Sequence, residues 1–201
     1  MASLGRPGGN ATGVTSNSIE LAAKRLQLLR ELVPAATVIS VLVNVAIDLD
    51  ADEQVKQIRA TALAIGQRIQ IVNAGSERDF NAAFAQIVRK PAGALLVAPN
   101  PYLLGKRAQL IALAAKHAIP ACYAFAEYVE AGGLMSYGDL PAERARLTGV
   151  YAGRILKGEK PADLPVLQPT TFELVLNAKT AKALGIKIPQ ALLLRANRLI
   201  E

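Results

Sequence analysis

Val38-Ile39-Ser40-Val41-Leu42-Val43, with Asn44 at its end, is the stretch on which the fold turns. The run is too short for a helix, almost wholly apolar and mostly β-branched, which marks a strand buried on both faces. Upstream, Asn17 with Glu20 three residues later forms a helix-start pattern. Leu21, Leu28, Leu29 and Leu32 then make an apolar stripe, and Pro34 closes the helix. Downstream, Asp50 and Glu53 repeat the start pattern. Val55, Ile58, Ala62 and Ile65 share one helical face, and Gly66 supplies the stop.

The same alternation continues. Residues 69–72 read as a second strand, and Ser76 with Asp79 opens a helix whose inward side chains are Phe80, Phe84, Ile87 and Val88, ended by Pro91. Gly93-Ala94-Leu95-Leu96-Val97-Ala98 is a third buried strand running into Pro99-Asn100-Pro101. A fourth helix with Leu104, Ala108, Ile111 and Ala115 inward precedes a fourth strand at residues 119–125. Strands joined by helical crossovers must pair in parallel, and right-handed crossovers place helices on both faces. The expected fold class is therefore α/β: a three-layer α/β/α lobe with a parallel sheet over residues 14–126. Beyond it, residues 133–137 read as a strand and residues 142–156 as a helix with Leu147, Val150, Tyr151 and Ile155 inward. Residues 172–176 read as a strand, a short helix ends near Gly185, and residues 189–200 read as a last helix.

The composition excludes several functions. The net charge is +7, but Lys and Arg are scattered and interleaved with acids, and aromatics are few with no Trp, so no nucleic-acid surface is expected. A single cysteine, Cys122, cannot form an intrachain disulfide and reads as a buried, inert thiol. With one histidine, His117, no metal cluster is expected. No nucleophile elbow is present, and Gly8-Gly9-Asn10-Ala11-Thr12-Gly13 has neither the preceding strand nor the Lys-Ser/Thr of a phosphate loop. Catalytic residues, metals and cofactors are expected to be none.

Ligands of open parallel sheets bind beyond the carboxyl ends of the strands. That rule selects Asn44, Asn73, Asn100 and residues 123–128. Asn100, between two prolines, is either a rigid amide offered to a ligand or part of a stiff turn. Asn44 and Asn73 fit turns or caps as well as binding. Tyr123, Phe125 and Tyr128, with Glu127 among them, suit a ligand carrying a ring or an amine. They equally suit a hydrophobic strand followed by an amphipathic turn.

Residues 6–14 (Arg-Pro-Gly-Gly-Asn-Ala-Thr-Gly-Val), Lys24-Arg25-Leu26 through Leu32-Val33-Pro34, and Val41-Leu42-Val43-Asn44 resemble the ABC-transporter substrate-binding family that includes tryptophan-binding lipoproteins. So do Gly132-Gly133-Leu134-Met135-Ser136-Tyr137-Gly138, residues 152–165, Phe172-Glu173-Leu174-Val175-Leu176-Asn177, and residues 179–186. The resemblance spans essentially the whole chain. It implies a type I periplasmic-binding-protein fold, two α/β lobes joined by three crossings that close on a small solute. It also implies ABC permease subunits as partners. By this correspondence residues 1–14 are a crossing, 15–128 the C-terminal lobe, 129–165 a remnant of the N-terminal lobe, and 166–201 a return to the C-terminal lobe.

The resemblance carries over Asn100, Phe125, Glu127, Ser136 and Tyr137 as ligand-binding positions; Asn44 and Tyr123, selected by the strand-end rule, complete the expected set. Tryptophan-binding members hold the ligand amine with a carboxylate near the hinge. Here the local sequence is Tyr137-Gly138-Asp139, and Asp139 is not assigned that role. The family implies a periplasmic or extracytoplasmic location, whereas a start at Met1 without a signal peptide implies a cytoplasmic one. The missing N-terminal lobe predicts that the strand at 133–137 lacks neighbours, which would favour a homodimer, and that this chain alone binds weakly or not at all. The alternatives are a cytoplasmic ligand-sensing domain of the same fold, a non-binding truncated fragment, or a small α/β enzyme.

Overall fold

Within each apolar strand, successive side chains point to opposite faces of a sheet, and this alternation divides the core in two. The computed structural model describes residues 3–15, 18–46, 51–89 and 93–201. Asn17, Asp50 and Pro91, read above as helix starts and a helix stop, lie outside these. Two compact units are present. The larger comprises residues 18–138 and 173–201, the smaller residues 1–17 and 139–172.

The elements in chain order are α1 (Ser18–Leu32), β1 (Val38–Val43), α2 (Ala51–Ala64), β2 (Arg68–Asn73), α3 (Phe80–Arg89), β3 (Ala94–Val97), α4 (Pro101–Gly105), α5 (Arg107–Lys116), β4 (Ala121–Tyr123) and α6 (Ala126–Glu130). They continue with β5 (Met135–Asp139), α7 (Pro141–Leu156), β6 (Phe172–Asn177), α8 (Ala178–Ala183), α9 (Gln190–Arg195) and β7 (Arg198–Ile200). The sheet order is β2-β1-β3-β4-β5-β6-β7. Pairing is parallel from β2 through β5, and again between β6 and β7. Where β6 joins β5, the Asn177 N–H donates to the Leu134 carbonyl, placing the end of β6 beside the start of β5 as in strands of opposite direction. The sheet is thus mostly parallel.

On one face Val41, Leu96 and Cys122 meet Leu26, Leu29, Ile58, Ala181 and Leu192 from the surrounding helices. On the other, Leu42, Leu95, Val97 and Tyr123 meet Phe80, Phe84, Ile87, Leu103 and Leu110. Each fully buried large side chain contributes about 1.5–3 kcal/mol of transfer free energy. Cys122 is among the buried residues, and burial pushes its thiol up to about 12, against the smaller opposing pull of Arg25. The capping pair read at Ser76 forms: its N–H and hydroxyl both donate to the Asp79 carboxylate, at 2.8 and 2.9 Å.

Five sequence expectations are corrected, the first being Val88, which is exposed on α3 rather than inward. The strand read at 133–137 has a neighbour, since β5 pairs with β4 through Cys122–Met135 and Tyr123–Ser136, and residues 129–138 belong to the larger unit. The fourth helix is two, α4 and α5, broken at Lys106 (φ −103°, ψ 16°). That break turns Leu103, Leu110, Leu113 and Ala114 inward rather than Leu104, Ala108, Ile111 and Ala115. The last helix stops at Arg195. Asn197 exchanges hydrogen bonds with the backbone of Leu174, N–H to carbonyl at 2.9 Å and amide oxygen from N–H at 2.8 Å, and this docks β7 beside β6. Finally, α7 buries only Tyr151, while Val150 and Ile155 are exposed.

Within the smaller unit, Val14 bridges Leu167 in parallel and Val166 N–H donates to the Leu4 carbonyl at 2.7 Å. The Thr12 hydroxyl donates to Leu164 at 2.7 Å, and the Tyr151 hydroxyl to Pro165 at 2.6 Å. Among the described residues no helix is long and apolar enough to cross a membrane.

Candidate ligand-binding site

Parallel pairing brings the carboxyl ends of β1 to β5 to one edge of the larger unit's sheet, with Asn44, Asn73, Asn100, Phe125, Glu127 and Tyr137 in the segments that end or follow them. Convergent loops at such an edge are where open α/β sheets hold ligands.

The asparagines shape the edge. Asn44 is buried; its side-chain oxygen accepts from Ala46 N–H at 3.2 Å and its amide reaches the Gly75 carbonyl at 3.4 Å. Asn73 accepts from Val45 N–H at 3.1 Å, tying the β1 and β2 loops together. Asn100 caps α4, its oxygen accepting from Tyr102 and Leu103 N–H at 2.9 and 3.2 Å. The oxygen thus belongs to the turn, and the amide N–H2 has no hydrogen-bond partner among the described residues.

The aromatic segment divides in the same way. Tyr123 ends β4, but it is 1% exposed and stacks on Tyr128, ring centroids 4.3 Å apart, so its ring belongs to the core. Burial raises both phenols well above their ordinary range and keeps them neutral. Phe125 is half-buried, and Glu127 lies in the first turn of α6. One Glu127 carboxylate oxygen is buried without a hydrogen-bond partner, as is the Tyr128 hydroxyl. A buried acceptor without a donor costs about 1–3 kcal/mol, more when charged, and a ligand N–H would remove that cost.

Arg25 was not selected from the sequence. It is 2% exposed, and its Nε donates to the Tyr137 carbonyl at 2.6 Å. The signal was present, because position 25 falls four residues after Leu21 and four before Leu29, inside the apolar stripe of α1. A charge there is buried and must be paired. Next to Tyr137, a Cβ on Gly138 would lie 2.1 Å from the Ala124 carbonyl oxygen, so only glycine fits where the chain leaves the larger unit. Ser136 is buried in β5 opposite Tyr123. In the smaller unit, Asp139 is ion-paired with Arg144 at 2.9 Å and its carboxylate is almost fully buried, leaving it a structural partner. No group of three metal-ligating side chains occurs among the described residues.

Residues 1–200 match the family of ABC transporter substrate binding proteins. The tyrosine-binding protein of Clostridioides difficile strain R20291 is 26% identical over 186 residues, 92% of this chain and 52% of that protein, so the chain spans about half the length of this relative. An ABC domain from Streptococcus pneumoniae solved in complex with L-Trp superposes with a TM-score of 0.90 at 27% identity, covering 100% of this chain and 68% of that one. A conserved domain protein from Vibrio cholerae O1 biovar El Tor superposes equally, TM-score 0.90 at 26% identity, over 98% and 65%. The fold is that of type I periplasmic binding proteins, and the family is one of binding proteins rather than enzymes. From residue 1 to residue 200, this chain belongs to the ABC transporter substrate-binding protein family.

Proposed function

We propose that the chain acts in an ABC importer by capturing an amino acid with an aromatic side chain and delivering it to the permease. The observation that carries this reading is the buried, unpartnered carboxylate oxygen of Glu127, flanked by the half-buried Phe125. An ammonium group satisfies that oxygen, and an aromatic ring suits Phe125. The Asn100 amide donates to the ligand carboxylate, and Asn44, Ser136 and Tyr137 shape the edge around it. The relatives that bind tyrosine and L-Trp support the same ligand class.

In this reading the larger unit is the C-terminal lobe, and the smaller unit holds crossings and part of the N-terminal lobe. The protein works outside the cytoplasmic membrane. In this reading nucleic acid is not a partner, because Lys and Arg are scattered along the chain and interleaved with acids, as in the pairs Arg146–Glu143 and Arg154–Glu159. Exposed apolar residues on α7 support self-association as a homodimer.

The test is saturation-transfer NMR with L-Trp and L-Tyr against indole-3-propionate, which lacks the amine. Preference for the amino acids, reduced about tenfold or more in Glu127→Gln, is the expected result. Equal binding of indole-3-propionate, or an unchanged preference in the variant, overturns the assignment of Glu127.

A further inference from the structure

The other end of the larger unit's sheet carries a cavity of about 560 Å³. Ala121 at its wall opens β4 and Leu134 immediately precedes β5, so the cavity lies at the amino ends of these strands, opposite the edge that bears Asn100 and Glu127. Its volume falls within the range of small-molecule pockets, about 300–1,000 Å³. The walls are apolar and short: Ile111, Ala115, Ala118 and Ile119 on the α5 side, Ala183 and Leu184 on the α8 side. Between them the Gly132-Gly133 turn keeps the wall thin, since a Cβ on Gly133 would lie 2.8 Å from both the Tyr123 ring and the Tyr128 carbonyl oxygen.

Two independent features point to an occupant. Tyr123, 1% exposed, contributes to the lining, and its hydroxyl makes no hydrogen bond among the described residues. Lys179 stands at the rim, exposed and without an ion-pair partner among the described residues. The acid in the lining, Glu130, is neutralised by Arg198 at 2.9 Å. The Thr180 hydroxyl donates to the Gly132 carbonyl at 2.9 Å, which leaves its oxygen free to accept. An apolar chamber with a neutral phenol in its wall and an unmatched ammonium at its mouth complements one chemistry, an apolar body ending in a carboxylate.

We infer that this cavity is a second binding site, separate from the carboxyl-end site, for a small monocarboxylate with an aryl or alkyl body. The body fills the alanine-walled chamber and the carboxylate meets Lys179.

The test uses the whole chain with isotope-labelled alanine methyl groups, titrated with 4-phenylbutyrate and with the neutral 4-phenylbutanol. The carboxylate is expected to shift the methyls of Ala115, Ala131 and Ala183 saturably, while alanines remote from the chamber stay in place. Ala183→Phe, at an exposed position of α8, fills the chamber and abolishes the shifts. Lys179→Met weakens 4-phenylbutyrate about two- to fivefold and leaves 4-phenylbutanol unchanged. Absence of saturable shifts at millimolar ligand, shifts that survive Ala183→Phe, or equal weakening of acid and alcohol by Lys179→Met would each overturn the proposal.

Discussion

The helices α1 and α7 have similar lengths and each carries an apolar stripe, yet they differ in what those stripes touch. In α1, Leu21, Leu28, Leu29 and Leu32 are buried against the sheet, and even Arg25 is drawn under. In α7 only Tyr151 is buried, with Val150 45% and Leu156 88% exposed. Periodicity sets which face of a helix is apolar; whether that face is covered depends on partners the helix does not encode. The larger unit covers its helix faces with a sheet of its own, whereas α7 keeps one anchored residue.

Substitutions at graded depths break or sharpen this contrast. Leu29→Ala removes a fully buried side chain of α1 and is expected to cost about 2–5 kcal/mol in urea unfolding; a cost below 1 kcal/mol would mean that α1 is no better packed than α7. Gly138→Ala drives a methyl into the Ala124 carbonyl and should cost about 1–3 kcal/mol through overpacking. Smaller is Tyr151→Phe, which leaves the α7 ring in place and deletes only its hydrogen bond to Pro165, for about 1 kcal/mol. Smallest is Leu156→Ala, expected within about 0.5 kcal/mol of neutral because the side chain is already in solvent. A large effect there, with a change in sedimentation, would show that a second copy covers α7.

The larger unit was legible where a local pattern suffices. β1 and β3 are apolar runs bounded by Asn, Gly and Pro, and buried strands leave that trace whatever they pair with. Pairing itself was less legible: Met135-Ser136-Tyr137 reads as a strand, but its parallel partner β4 is found only in the folded sheet. Three-residue β7 is too short to show a period, and its docking depends on Asn197 meeting Leu174, over twenty residues earlier in the chain. At the candidate site, residue type and strand-end position pick out Asn100 and Glu127. They do not reveal that the Asn100 oxygen caps α4 while a Glu127 oxygen lacks a donor, because that difference arises from the arrangement of neighbouring backbone N–H groups.

The position of β6 beside β5 has a consequence for synthesis. The chain completes β1 to β5 by Asp139, but the strand that covers the outer edge of β5 begins only at Phe172. At about 5–20 residues per second, the ribosome needs a few seconds to make the stretch between them. During that interval a nascent chain whose first five strands have formed presents β5 as an uncapped edge, the kind of surface that pairs with whatever strand arrives first. A chaperone that occupies nascent chains for seconds would protect this protein most effectively in that window.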